Sequence, residues 1–576
     1  MSAPRLQAID ATTLKALLAE LRRVVLPSRF EKAQQADGQT LQLALRHLGG
    51  VQWLEISWLA EAPRILAIPP PPRTGEGSTL AQQLQHGLRG LALVAIRQEG
   101  WERVVSLDFA VRPGEPIQRQ LVVELMGRHS NLFLLGPQGQ VIALARQVRP
   151  QQSQWRPIGT GDPYSPPPAL QGEPPRSSES FDTWRRRLLT LPLPLGQALM
   201  EAYQGVSPAL VGQLLEPREP ESSLGAELPV QSLTAEQWNQ LWRSWRDWLT
   251  AVEEERFGLH WQVPGAYRCW PGPEEVEEPS LSLPIHAGLA QASQAWLANR
   301  GLERRRHALR HRLEALKQRE HRQEREQQAL LEAAAGSEEL QRQADDLLCA
   351  PAPSKERIQQ AQALYKRARK LRRSVAAIRP RLEAHRQRQA WLEDALLYVD
   401  QADHPEPLAA LEEDLRALEP KAKAQAQSKA QAKTMERASA PQRRRGESQG
   451  QTPQPLELPS PSGLRLQVGR NHRQNEWISL RQARRGDLWF HAQEVPGSHV
   501  VLKASEGPAE DADLEAAADL AAHFSRGRGN ARVPVVMVPT EALQRLAGEA
   551  AGTVRHRGGQ IVWGQPERAL RLLHAS

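Results

Sequence analysis

Cysteine, long apolar runs and catalytic signatures are all scarce in this chain of 576 residues. Its two cysteines, Cys269 and Cys349, are too few for a disulfide framework or a four-cysteine zinc site. The longest apolar run without charge, Leu188 to Met200, has 13 residues and two prolines, too short and broken to span a bilayer. No apolar core follows the first basic residue, so we expect no signal peptide and a cytoplasmic protein with reduced thiols.

Signatures of enzyme active sites are also missing. The sequence has no P-loop, no nucleophile elbow and no HExxH motif. We therefore expect no catalytic centre, no cofactor and no bound metal, and the function must come from binding.

The positive charge of the chain is mostly arginine and is unevenly placed. The net charge is +8, carried by 63 arginines and only 11 lysines. Residues 355–390 hold 12 basic and two acidic side chains, whereas residues 391–420 hold nine acidic side chains and one arginine. The basic block predicts a polyanionic partner, with Lys366, Arg367, Arg369 and Lys370 as candidate RNA-binding residues. The alternative is that the neighbouring acidic run neutralises the block.

The length predicts three to five domains, and the pattern changes along the chain accordingly. Asp10 precedes a helical repeat of leucines, and alternating segments such as Val104 to Ala110 predict strands, so the first part should be α+β. Seven prolines in residues 157–175 predict a rigid, exposed connector. A stripe of tryptophans from Trp238 to Trp248 is typical of helix packing rather than base stacking.

The second half predicts a long helical arm and a compact terminal domain. Between Leu364 and Val399, nine of eleven positions on one heptad seam are apolar, which indicates a coiled coil. Because Gly336 and the prolines of residues 351–353 must reverse the chain, the arm should be antiparallel, and Pro380 should kink it. Residues 421–463 lack aromatic side chains and predict a flexible linker before an α/β domain.

Two motifs are more specific than these patterns. They are Glu-Leu-Met-Gly-Arg-His-Ser-Asn at residues 124–131 and Asp-Leu-Trp-Phe-His-Ala at residues 487–492, which Pro-Gly-Ser-His follows at 496–499. With Gly-Val-Ser-Pro at residues 205–208, their order closely resembles the NFACT family, also called fibronectin-binding protein A-like, over nearly the whole chain.

The resemblance implies a multidomain α+β architecture that agrees with the pattern. An N-terminal domain similar to formamidopyrimidine-type DNA glycosylases is expected first, although the chain shows no proline nucleophile for such chemistry. A helix-hairpin-helix, an antiparallel coiled-coil arm and an α/β RNA-binding domain are expected after it. The five predicted segments, in this order and with the linker included, are residues 1–175, 176–284, 285–420, 421–463 and 464–576.

The resemblance also implies a role in ribosome quality control. Such a factor binds a large (50S) ribosomal subunit that still holds peptidyl-tRNA and recruits charged tRNA, in bacteria alanyl-tRNA. The ribosome then adds untemplated residues that mark the nascent chain for degradation. The resemblance also allows a small S4-like RNA-binding rescue protein as a further partner. The alternative, from the family's older name, is a fibronectin-binding surface adhesin, which the expected lack of a signal peptide disfavours.

The family's tRNA-binding residues fall on Asp10, Glu102 and Arg103, with Glu102 in place of the family's aspartate. From the residues alone, Asp10 could equally be a helix N-cap, and Arg103 a surface ion pair. The Gly205 turn is either a phosphate clamp or an ordinary helical turn.

In the C-terminal domain, arginines lie close in sequence to aromatic residues, which favours RNA binding. Strand alternation is expected to point His491 away from His499, which argues against a metal site. The candidate RNA-binding residues there are Arg470, Arg473, Trp489, His491 and His499.

Overall fold

The computed structural model describes residues 6–73, 78–153, 156–190, 192–216, 224–271, 283–349, 354–418, 453–545, 552 and 554–574. The chain divides into two compact units, Met1–Asn299 and Arg300–Ser576. Within the described residues, no helix is long and apolar enough to cross a membrane. Helices and strands are combined in both units, so the predicted multidomain α+β class is confirmed.

The first unit is built on one antiparallel sheet of nine strands, ordered β4-β3-β2-β1-β5-β6-β7-β8-β9. Neighbours in the sheet are also neighbours in sequence except where β5 joins β1, so the fold is a meander with a single crossover. The strands are β1 Ser28–Asp37, β2 Thr40–His47, β3 Gly50–Ser57, β4 Arg64–Ile68, β5 Ala92–Gln98, β6 Val104–Ala110, β7 Arg119–Glu124, β8 Asn131–Leu135 and β9 Val141–Leu144.

Two helices join this sheet in forming the main core. They are α1 Ala11–Val25 and α2 Thr79–Leu88. The leucines at positions 14, 17, 18 and 21, which the helical repeat predicted to lie together, are all fully buried against the sheet. Their spacing of three and four residues puts one apolar stripe on α1, and the burial of that stripe holds the helix in place.

The first unit also contains a helical segment and a small hairpin. The elements are α3 Phe181–Leu189, α4 Leu195–Ala202, α5 Pro208–Leu214, α6 Ala235–Glu253, β10 His260–Val263 and β11 Ala266–Arg268. Trp238 and Trp245 of α6 are buried against Trp184 and Tyr203, and buried Trp248 packs against Trp245. The tryptophan stripe therefore packs the helices together, as predicted.

The described part of the arm contains four helices: α7 Pro284–Ala335, α8 Ser337–Leu348, α9 Lys355–Gln401 and α10 Pro405–Leu418. Lys317 of α7 pairs with Glu393 of α9 at 2.6 Å, and Glu324 pairs with Arg386 at 3.0 Å. As residue numbers rise along α7, those of their partners fall along α9, so the arm is antiparallel, as predicted. Helix α9 continues through Pro380.

The C-terminal domain is a six-stranded antiparallel sheet, ordered β12-β13-β15-β14-β16-β19, with a separate hairpin β17–β18. Its strands are β12 Leu456–Pro459, β13 Arg465–Val468, β14 Leu488–Ala492, β15 Val500–Leu502, β16 Val533–Pro539, β17 Leu543–Arg545, β18 Val554–His556 and β19 Gln560–Gly564. Its helices are α11 His472–Glu476, α12 Asp511–His523 and α13 Ala569–His574.

The domain begins earlier than the sequence predicted. The predicted linker, residues 421–463, lies outside the described residues as far as residue 452, but Leu456–Pro459 forms strand β12. Leu458 of this strand is buried, and it pairs with Leu466 of β13. The prolines that surround this short strand concealed its alternation in the sequence.

Candidate nucleic-acid interface

Asp10 joins two helices of the first unit. Its Oδ1 accepts a hydrogen bond from the Thr13 backbone N–H at 2.8 Å, so Asp10 caps the N-terminus of α1. Its Oδ2 accepts a hydrogen bond from the Ser207 hydroxyl at 2.5 Å. The Ser207 hydroxyl in turn accepts from the Leu210 N–H at 3.0 Å and caps α5. Both carboxylate oxygens of Asp10 are therefore already hydrogen-bonded within the protein, and the N-cap interpretation is confirmed.

This geometry predicts coupled stabilities for Asp10 and Ser207. Asp10→Ala should lower the free energy of unfolding by about 2 kcal/mol, since it removes a cap and a charge-assisted hydrogen bond. In the Asp10→Ala protein, Ser207→Ala should lower the free energy of unfolding by less than it does in the wild-type protein, because the hydrogen bond between the two residues is already lost. Urea unfolding followed by tryptophan fluorescence measures this coupling. Ser78, which caps α2 with no contact to Asp10, provides the control, and Ser78→Ala should be additive with Asp10→Ala.

The Gly205 turn packs against protein rather than leaving an open cradle. Its φ of +74° favours glycine, and a Cβ there would lie 2.8 Å from the Trp101 Cβ and 3.2 Å from the Ala11 Cβ. Since Ser207 already caps α5, the structure favours an ordinary helical turn over a phosphate clamp. The turn brings the segments that carry Asp10 and Glu102 together, because Ala11 and Trp101 are their neighbours in sequence.

We call the contact of Gly205 with Ala11 and Trp101, next to Arg103 in sequence, the Arg103 junction, and Trp101 lies within it. Its ring centroid lies 5.2 Å from that of Trp248, and the Lys15 ammonium lies 4.7 Å from the Trp101 centroid. Burial, together with repulsion from Arg22, lowers the pKa of Lys15. A partly desolvated cation over an aromatic ring gains attraction from the ring quadrupole. Trp101 is thus held by contacts with Gly205, Trp248 and Lys15, in the segment that carries Glu102 and Arg103.

Glu102 and Arg103 differ in whether their polar groups are already hydrogen-bonded within the protein. The Glu102 Oε1 accepts a hydrogen bond from the Leu170 N–H at 3.0 Å, which ties the proline-rich segment to this turn. The Arg103 side chain is half-buried, and its guanidinium makes no hydrogen bond or ion pair with any residue that the structure describes. Of the three predicted tRNA-binding residues, Arg103 is thus the one whose polar group needs no internal bond broken before it binds a ligand.

The motif at residues 124–131 has a structural half and an exposed half. Buried Glu124 accepts two hydrogen bonds from the Arg156 guanidinium, at 2.5 and 2.8 Å, and one from the Tyr164 hydroxyl at 2.9 Å. Part of the predicted exposed connector is therefore held against the sheet. Arg128 and His129 remain exposed and touch each other. Sequence reasoning named no site residue here, although two basic side chains inside a specific motif were the available signal.

The basic block of the arm is an exposed surface of α9. Lys366, Arg367, Arg369 and Lys370 are all exposed, while Ala368 between them is buried against α8. Within the described part of the chain, none of the four makes an ion pair or side-chain hydrogen bond. They form what we call the α9 basic face.

The acidic run at residues 391–420 does not neutralise this face. Its carboxylates pair with other cations of the second unit, from α7 and from the C-terminal domain. The pairs are Arg305–Glu412, Arg310–Asp400, Lys317–Glu393, Arg470–Asp403, Arg473–Glu413, Arg473–Asp414 and Arg526–Glu393. The alternative, that the acidic run neutralises the basic block, is therefore wrong for the residues that the structure describes.

Arg470 and Arg473 are ion-paired. Arg473 lies 2.6 Å from Asp414 and 2.9 Å from Glu413, and Arg470 contacts Asp403. These pairs fasten the C-terminal domain to helix α10 and the chain before it. To bind RNA, each arginine would have to exchange its carboxylate partner for a phosphate.

Trp489, His491 and His499 form one cluster. The expectation that His491 points away from His499 is wrong: their ring centroids lie 5.3 Å apart. The physical reason is the strand register, because Phe490 pairs with Val500 and thereby places the two histidines opposite each other on one face. Trp489 is buried and stacks on His491, with centroids 5.6 Å apart.

No metal-binding arrangement occurs at this cluster or elsewhere in the described residues, where no three His, Cys, Asp or Glu side chains are grouped to hold an ion. His499 instead bonds the Ser479 hydroxyl through Nδ1 at 2.9 Å. Burial lowers the pKa of His491 to about 4 and that of nearby His472 to about 3, and it also lowers the pKa of His499. The cluster is therefore a neutral, packed part of the domain.

These pKa values predict that the C-terminal domain loses stability as the pH falls from about 6.5 toward 4. In that range the unfolded chain takes up protons at imidazoles that the folded domain keeps neutral. Asp394 opposes the trend, because burial raises its pKa to about 7. Hydrogen exchange of residues 488–502 should quicken as the pH falls, after correction for intrinsic rates. Protection that is constant or rises would contradict the prediction, and His472→Gln should reduce the pH dependence.

Comparisons with known proteins match both units. The family model described as NFACT N-terminal and middle domains matches residues 10–352 and 351–433, and the one described as NFACT protein RNA binding domain matches residues 459–558. A Streptococcus pneumoniae protein named Rqc2 homolog RqcH is 24% identical over 598 residues, covering 97% of this chain and 98% of its own. The Bacillus subtilis protein of that name is 39% identical over 108 residues, 19% of each chain.

Solved structures show weaker similarity. The C-terminal part of the Streptococcus suis fibronectin/fibrinogen-binding protein covers 47% of this chain and 98% of its own, with 23% identity and a TM-score of 0.37. The N-terminal part of that protein covers 49% of this chain and 99% of its own, with 20% identity and a TM-score of 0.39. Scores this low carry no argument about function.

Proposed function

Because the chain belongs to the NFACT family, the ribosome quality control family of RqcH, we propose that it binds large ribosomal subunits with peptidyl-tRNA and recruits charged tRNA to them. The ribosome then extends the stalled chain without a template, and alanyl-tRNA is the tRNA we expect. In this role the protein is a positioning factor, and peptide bonds form in the ribosome.

The α9 basic face is the observation that carries this proposal. Because these four cations are exposed and have no internal partners, they can bind phosphates without breaking an ion pair. Each contact also releases counterions from the RNA. These four cations belong to the second unit, whereas the Arg103 junction belongs to the first. Ribosome binding and tRNA recruitment can therefore be assigned to separate surfaces.

The Arg103 junction supports the tRNA-binding step. The Arg103 guanidinium, which has no described partner, can donate to a phosphate or a base edge. The packing of Trp101 on Trp248 fixes the backbone two residues before it. Asp10 contributes by fixing α1 to the Gly205 turn, and Glu102 by holding Leu170. The adhesin alternative has no comparable support, and the comparisons do not favour it.

Purification of the tagged protein from cells with stalled ribosomes tests the proposal. Sequencing of the copurified RNA should return large-subunit ribosomal RNA and a restricted set of tRNAs, with tRNA for alanine enriched. Small-subunit RNA should be depleted, since the proposed target is a split subunit. Binding of immobilised fibronectin without RNA enrichment would contradict the proposal and support the adhesin.

A further inference from the structure

Strand β19 leaves two large apolar side chains exposed at an edge of the C-terminal sheet. Among the described residues it pairs with β16 alone, and Ile561 and Trp563 are 46% and 56% exposed. Val562 between them packs into the core beneath, as strand alternation requires. Trp563 belongs to neither of the two buried apolar clusters that flank this sheet in the described residues, so core packing does not account for its indole.

The middle of this face of the sheet is covered. Val536, the partner of Ile561, belongs to a cluster with Trp489 and Val538 that lies beneath residues 477–481 and the hairpin β17–β18. At Gly559 the backbone passes so close that a Cβ would lie 2.7 Å from Val536 Cγ2. The cover ends there. The next cross-strand pair, Pro534 and Trp563, together with Ile561, forms an open surface that we call the edge platform.

Four exposed arginines lie on the segments that adjoin the edge platform. Arg532 precedes Pro534 by two residues, so the alternation of β16 continues toward it on the face of Pro534 and Trp563. Arg528 lies in the turn just before, and Arg555 and Arg557 flank His556 on the covering hairpin. All four are exposed and have no ion-pair partner in the part of the chain that the structure describes. Residues 526–563 contain six arginines and two glutamates.

We propose that the edge platform stacks an unpaired RNA base on Trp563 while Arg532 and Arg528 bind the neighbouring phosphates. The charges and the exposed indole favour single-stranded RNA as the ligand. Such a strand alternates aromatic bases, which can stack on Trp563, with anionic phosphates, which unpaired arginines on the adjoining segments can bind. Duplex RNA keeps its bases stacked and cannot use the indole. This inference rests on the proposed function, since it assigns an RNA contact to the same protein.

The test measures binding of a fluorescent single-stranded uridine 12-mer to the full chain by anisotropy. The parent protein carries Lys366, Arg367, Arg369 and Lys370 changed to glutamine, so that the α9 basic face does not contribute. Trp563→Ala should weaken binding about tenfold, within the range for loss of one base stack. Trp563→Phe should restore most of the affinity, because its ring can still stack. Trp261→Ala, which removes a 48% exposed tryptophan from the first unit, should have no effect.

Charge and structure of the RNA provide two further outcomes. Changing Arg528 and Arg532 to glutamine should reduce the slope of log affinity against log salt by about 1.4, or about 0.7 for each phosphate contact on a single strand. The loss caused by Trp563→Ala should disappear for a duplex of the same length. Equal affinity of Trp563→Ala and its parent for the 12-mer would overturn the proposal and leave a protein partner as the occupant.

This result is separable from failure of the proposed function. Binding of purified large subunits, measured with the arm intact, tests the ribosomal role without requiring Trp563. If subunits bind normally and the 12-mer is insensitive to Trp563→Ala, only the edge platform is wrong. If the 12-mer responds as expected and subunits do not bind, the platform holds and the ribosomal role is wrong.

Discussion

Large-subunit binding should fall at least tenfold when Lys366, Arg367, Arg369 and Lys370 are all changed to glutamine. Because the four side chains are exposed and have no described partner, they can bind phosphates at no internal cost. Four phosphate contacts on helical RNA correspond to a salt slope of roughly −3 to −4, so raising salt fourfold should weaken the parent by about 100-fold. The variant should lose most of that salt dependence. Cosedimentation with purified subunits at about 50 and 200 mM salt measures both effects.

A control of equal charge isolates the α9 basic face from the overall charge of the protein. The control replaces four exposed arginines of the first unit: Arg112, Arg176, Arg186 and Arg243. It should retain subunit affinity within a few-fold, because a diffuse loss of charge removes no phosphate contact. Equal losses in both variants, or a subunit affinity that does not change with salt, would contradict a phosphate-binding role for the arm.

Recruitment of charged tRNA should fall tenfold or more in Arg103→Ala, while binding to large subunits persists. A charge-assisted hydrogen bond contributes about 1.5–3 kcal/mol, which corresponds to a tenfold to 150-fold loss in affinity. The substitution breaks no described side-chain hydrogen bond, so the variant should fold normally. The ratio of tRNA to large-subunit RNA in affinity-purified complexes measures the effect.

Two further variants locate the cause. Arg112→Ala removes an exposed arginine from the same sheet domain and should leave the tRNA ratio unchanged. Glu102→Asp shortens the side chain that bonds the Leu170 N–H and creates the acidic residue of the family pattern. Recruitment should be retained or increased in it. A tRNA ratio in Arg103→Ala equal to that of the parent protein would mean that the family's tRNA site does not carry over to this position.

Much of the fold could be predicted because its signals are local. Strand β6 begins and ends where alternation predicted it, and the buried face of α1 follows from leucine spacing. The antiparallel arm followed from one heptad seam and a reversing segment. Strand β12 was missed because it has four residues beside prolines, and its pairing with β13 supplies the stability that its sequence does not indicate.

The site was harder to predict because it depends on pairing between distant residues. Nothing near Asp10 in sequence indicates that Ser207 will donate to it from 197 residues away. The ion pairs of Arg470 and Arg473 depend on how α10 lies against the domain, and the proximity of His491 to His499 depends on strand register. Exposure of the α9 basic face was predictable, since its charges outnumber any nearby partners.

We propose that this protein promotes untemplated extension of stalled chains by positioning tRNA on the large subunit. Mass spectrometry of the C-termini of a stalled reporter protein, in cells that lack this chain and in cells supplied with the parent or Arg103→Ala protein, tests it most directly. We expect residues beyond the template, mainly alanine, with the parent protein, and we expect them to be absent both with Arg103→Ala and in cells without the chain. Identical reporter C-termini in the presence and absence of the parent protein would contradict it.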